Sequence, residues 1–79
     1  MTQEFETRVI SIVAEILNLQ KEEIDVGSKK ADFPSWDSMQ NLNIVLAIEQ
    51  EFGVEFPPDA FGEITGVDSL IGVLRKISA

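Results

Sequence analysis

The strongest constraint on this chain is a long stretch set between two boundary signals. From Ser35 to Phe52 there is no proline or glycine, and Pro34 and Gly53 stand on either side. Residues 40–51 tolerate helix well, and a glycine just past the last turn is a good stop signal. Asp37 is a natural N-cap, and Gln40 follows at the capping-box position, where its side chain is expected to reach back to the Asp37 amide. The spacing therefore predicts a helix from Asp37 to Phe52. It places Ser38 at the first helical position, where its hydroxyl is not needed for capping. Free N–H groups and the helix dipole favour an anion there, so the hydroxyl is a plausible place to attach a phosphate. Serine is also common in first turns, and this feature alone does not choose between the two readings.

Two further amphipathic segments flank this helix. Phe5, Val9, Ile12, Val13 and Ile16 recur at helical spacing and predict a helix over 2–17. Val67, Leu70, Ile71, Leu74 and Ile77 form the stripe of a last helix, with Thr65 as its expected cap and Asp68 at the capping-box position. Between the first two helices, residues 18–35 contain Gly27, Ser28 and Pro34. A loop of that length is expected to pack through Leu19, Ile24, Val26 and Phe33 and to hold a helical turn near Lys21 to Ile24. After Pro57-Pro58, the segment from Asp59 to Ile64 is long enough for a turn or two of helix. Strand signals are absent. The expected architecture is all-α: a small antiparallel four-helix bundle of three longer helices and one short one, with a long first loop, in a single domain over residues 1–79.

The central helix has more apolar surface than a core-facing stripe of ~100° needs. Ile44, Val45, Ile48 and Phe52 form one group; Met39, Leu42 and Leu46 form another, interrupted on one side by Glu49. One group is core. The Met39 group begins next to Ser38 and suits a semi-exposed docking patch, although a four-helix packing could also bury both.

Composition excludes several classes. With no Cys there is no disulfide or thiolate metal site, and with no His the usual general base and commonest metal ligand are missing. No constellation of catalytic side chains appears, so an enzyme is not expected. No apolar run approaches the ~18 residues of a spanning helix, and a cytoplasmic, monomeric protein is expected. Acids outnumber bases 14 to 6, and no Lys or Arg occurs between Ala31 and Leu74. That stretch holds Asp32, Asp37, Glu49, Glu51, Glu55, Asp59, Glu63 and Asp68. Such a surface repels nucleic acid and anionic lipid and attracts partners with basic patches, though excess charge also serves solubility alone.

Taken in order, Asp37-Ser38-Met39, the helix end Ile48-Glu49-Gln50-Glu51-Phe52-Gly53-Val54, then Phe56-Pro57 and Ile64-Thr65 resemble the acyl carrier protein family, over essentially the whole chain. The resemblance implies 4′-phosphopantetheine attached covalently to Ser38 from coenzyme A by a phosphopantetheinyl transferase. Asp37 would serve as helix cap and transferase recognition residue, and the arm's thiol would carry an acyl group as a thioester. It also implies partner enzymes with basic docking patches that meet Glu49, Glu51, Glu55, Asp59 and Glu63, with Met39, Leu42 and Leu46 as apolar contacts. The chain departs from the usual fatty-acid type in two ways. Gln40, Asn43 and Gln50 are neutral where acids are common, and Trp36 replaces a small residue. These departures point to a stand-alone carrier of a specialised pathway, polyketide-like or aminoacyl (D-alanyl-type). Two other classes stay open: an unmodified interaction protein of the same fold, and an acidic enzyme subunit or inhibitor. A second literal match, Asp68-Ser69-Leu70, lies too near the C-terminus for the acidic helix that should follow, and Ser69 is rejected as the attachment point.

Overall fold

The computed structural model describes residues 2–78, with side chains described over 6–77. Three α-helices are present: α1 (Thr2–Leu17), α2 (Ser38–Phe52) and α3 (Val67–Ser78). A short 3₁₀ helix, Pro58–Glu63, completes the four, and two single 3₁₀ turns, Lys21–Glu23 and Lys30–Asp32, lie in the first loop. The turn at Lys21 matches the expected one; the turn at Lys30 left no sequence signal. The described residues form no strand, but Lys29 and Gly66 make an isolated antiparallel bridge.

The apolar stripes meet as their periodicity requires. Val9, Val13, Ala14 and Leu17 of α1 pack with Ile44, Val45 and Ile48 of α2 and with Val67, Leu70, Ile71 and Leu74 of α3. Ile12, Ile16 and Ile77 are only partly buried at the margin, and the Phe5 side chain lies outside the described residues. The first loop seals the core with Ile24, while Leu19 and Phe33 pack partly against it. Val26 does not join them. It sits exposed in the Val26–Gly27 turn, which is held by the Asp25 side chain and Ser28.

Gly53 ends α2 in the left-handed region at φ 65°, and its N–H bonds to the Glu49 carbonyl. A glycine reaches that conformation without the Cβ penalty other residues meet. Asn18 does the same after α1 at φ 60°, a role in which asparagine is the usual substitute for glycine.

Two expected caps are built differently. The Gln40 side chain does not return to the Asp37 amide; it bonds instead to Ile16 O and accepts from Asn43. At α3, Thr65 is not the cap and Asp68 does not bridge to it. The helix starts after Gly66, and the Ser69 hydroxyl accepts from both Thr65 N and Gly66 N while donating to Gly66 O. Asp68 is drawn off towards Lys29, at 3.7 Å. Gly66 is glycine because the chain comes too close for anything larger: a Cβ there would lie 2.7 Å from Ser28 O.

Candidate functional site at the start of α2

Asp37 takes an extended conformation, and its Oδ1 accepts from Gln40 N at 2.9 Å while its carbonyl accepts from Asn41 N. This satisfies one of the helix's orphan N–H groups and leaves the first ones facing outwards. Ser38 is therefore the first helical residue. It is exposed, and its hydroxyl makes no hydrogen bond among the described residues. Ser69, by contrast, spends its hydroxyl on three bonds around the start of α3, so the structural role that the first turn of α2 does not require is filled at the second Asp-Ser-Leu match.

The base under Ser38 is braced by a pair that the sequence did not reveal. Trp36 is 2% exposed, and its indole N–H donates to Asn41 Oδ1 at 2.9 Å. Asn41 is the one buried polar residue of the described core, at 7%. A buried tryptophan usually finds an acceptor, and this one binds the residue just before the Asp37 cap to the first turn of α2. The only hint in the sequence was a polar residue on the helix face that otherwise packs inwards.

Two adjoining clefts flank Ser38. One, of about 430 Å³, is lined by Lys30, Ala31, Trp36, Asp37, Ser38 and Thr65. The other, of about 380 Å³, lies between α2 and the Pro58–Glu63 helix and adds Asn41, Leu42, Phe61, Gly62 and Ile64. Both are shallow and open, so a chemical group on Ser38 would have room to rest against the protein or to swing clear. A larger groove of about 790 Å³ runs between α1 and α2 through Gln40, Asn43, Leu46 and Gln50, on a face that does not include Ser38.

The second apolar group of α2 is exposed: Met39 at 73%, Leu42 at 42% and Leu46 at 50%, while of the first group Ile44, Val45 and Ile48 are fully buried and Phe52 only partly. The packing thus resolves the two groups into core and surface. The acidic positions divide unequally. Glu55, Asp59 and Glu63 are exposed and enter no ion pair among the described residues. Glu51 is paired with Arg8, whose guanidinium also lies 4.9 Å over the Phe52 ring. Glu49 is half-buried and accepts from Phe56 N at 2.7 Å.

The described residues contain no cluster of three or more acids, His or Cys that could hold a metal, and no helix long and apolar enough to cross a membrane. The family profile described as "Phosphopantetheine attachment site" matches residues 7–74. The chain is 35% identical over 72 residues to "Acyl carrier protein" of Sinorhizobium fredii (strain NBRC 101917 / NGR234), covering 91% of this chain and 92% of that one. It shows the same identity and coverage with "Acyl carrier protein AcpP" of Rhizobium meliloti (strain 1021). An exposed, unengaged serine hydroxyl on a capped helix start, with open clefts beside it, fits a phosphodiester-linked arm. The chain belongs to the acyl carrier proteins of the phosphopantetheine-attachment family, non-catalytic carriers whose prosthetic group is 4′-phosphopantetheine.

Proposed function

We propose that Ser38 is the attachment point of the arm, and that the chain is a carrier serving a specialised pathway. The observation that carries the first part is the free Ser38 hydroxyl at the Asp37-capped start of α2. The terminal thiol of the bound arm supplies a thioester that holds the acyl cargo. The protein's own part is positional: it holds the serine on a rigid helix end and offers a surface that enzymes can find, raising the effective concentration of the cargo at each active site.

The docking face is built from Met39, Leu42 and Leu46 with the acids Glu55, Asp59 and Glu63 beyond them. Apolar side chains exposed on one helix face suit a partner contact, and exposed carboxylates steer basic partners towards it. The specialised assignment is supported by the upper part of α2. Asn43 and Gln50 are exposed and uncharged, and Gln40 is tied to Ile16 O and Asn43, so this region offers basic partners little attraction.

Incubation with coenzyme A and a promiscuous transferase tests the site by intact mass. The native chain gains one phosphopantetheine, Ser38→Ala gains none while keeping its helical circular dichroism, and Ser69→Ala loads. Loading of Ser38→Ala overturns the assignment. The pathway is tested by the mass of the acylated form isolated from its native cell; a straight saturated chain as the main cargo overturns the specialised reading.

A further inference from the structure

We propose that Lys30 is a positioning residue for the arm, its ammonium seating the phosphodiester formed on Ser38. This rests on Ser38 being the attachment point. Among the described residues, Lys30 is the only cation lining either cleft at Ser38, and it lines both. It is half-buried, and among the described residues its side chain pairs with no carboxylate, although the chain holds 14 acids. Three of the other bases are committed elsewhere: Arg8 to Glu51, Lys29 to Asp68, and Arg75 to Glu6 at 3.0 Å.

The position is held by the backbone, not left to a wandering loop. Lys30 N donates to Thr65 O at 2.8 Å and Val67 N donates to Ser28 O at 3.0 Å, closing the bridge that Gly66 makes possible. The Lys30–Asp32 turn is fixed further by Lys29 N donating to Asp32 Oδ2 at 3.1 Å. The first loop is thereby pinned to the segment that leads into α3, and Lys30 and Thr65 both line the two clefts at Ser38.

The electrostatic need is plain. A phosphodiester on Ser38 places a full negative charge beside Asp37, in a protein of net charge −8. The outward N–H groups of the first turn and the helix dipole compensate part of it, and a cation lining the same cleft compensates more. The Asn41 amide oxygen is taken by Trp36, so its NH₂ is what that side chain has to offer the cleft it lines. The cleft thus offers an anion one cation and neutral donors.

The test compares the holo forms of the native chain, Lys30→Met and Lys30→Arg, each checked for loading by intact mass. The readouts are ³¹P transverse relaxation of the diester and the amide shifts that loading causes at Lys30, Ala31 and Thr65. In the native chain the diester relaxes as part of the folded protein, and those amides shift on loading. In Lys30→Met the ratio of seated to free diester falls roughly twofold to fivefold, in line with an ion pair at a partly exposed site, so the relaxation rate drops and the amide shifts shrink; Lys30→Arg keeps both. High salt moves the native chain towards Lys30→Met. Identical relaxation and amide shifts in the loaded native chain and loaded Lys30→Met overturn the proposal. Failure of the native chain itself to load would overturn the Ser38 assignment instead.

Discussion

The Glu49 carboxylate accepts a hydrogen bond from the backbone N–H of Phe56 at 2.7 Å, tying the last turn of α2 to the chain beyond Gly53. The family resemblance implies a docking role for Glu49, and in the fold its carboxylate also has this internal partner. Glu49→Ala should therefore cost about 1–2 kcal/mol of folding stability, the usual worth of a charge-assisted bond at a partly buried site. Denaturant unfolding reads this directly. An unchanged midpoint would mean that this bond contributes nothing to the fold.

Asp59 and Glu63 are the contrasting positions. Reversing either to Lys should leave unfolding within about 0.5 kcal/mol of the native chain, since neither is engaged in an ion pair. It should slow association with the transferase, and the loss should shrink as salt is added. Stopped-flow association at two ionic strengths separates this from a change in the final complex.

Removing one member of the Trp36–Asn41 pair strands the other in the core. Trp36→Phe should cost about 1–3 kcal/mol, because the Asn41 oxygen loses its donor while buried. The paired change, Trp36→Phe with Asn41→Leu, should recover part of that loss. A double-mutant cycle by urea unfolding measures the coupling; strict additivity would mean that the bond contributes nothing.

Ser69→Ala should load normally yet lose about 1 kcal/mol, because the N–H groups of Thr65 and Gly66 then lose their acceptor at the start of α3. The hydroxyl at Ser38 has no such duty, so Ser38→Ala should melt within a degree or two of the native chain. Thermal melts of both variants side by side make the comparison.

The salt response should be muted compared with what charge counting alone predicts. Two of the eight acids between Ala31 and Leu74 already have basic partners from outside that stretch, Glu51 with Arg8 and Asp68 with Lys29. Six remain, so repulsion still exceeds attraction there. The melting temperature should rise with NaCl, and more steeply in Arg8→Ala, where Glu51 joins the unpaired set.

What was legible in the sequence was the part written in local order. Asp37 as a cap, Gly53 as a stop and the division of the apolar residues of α2 into two groups all follow from spacing along one helix; that the Met39, Leu42 and Leu46 group stays exposed is decided by the packing. The illegible part depends on residues distant in sequence. Nothing near Gly66 announces Ser28 as its neighbour, and nothing near Glu49 announces the Phe56 amide. The caps went astray for a related reason: Gln40 and Asp68 found partners in Ile16 and Lys29 that outcompeted the local bonds expected of them.

Trp36 has one more consequence, a spectroscopic one. The chain has no Tyr, so this indole is its dominant near-ultraviolet chromophore, and it sits two residues before Ser38 in the wall of the same cleft. Its emission belongs to a single environment and needs no deconvolution. Any event that fills the cleft, frees the indole N–H from Asn41 or draws the first turn of α2 towards a partner changes the wavelength or yield of that one emitter. With the arm attached at Ser38 as proposed, its arrival and its later departure towards an enzyme should register in unlabelled protein by light alone.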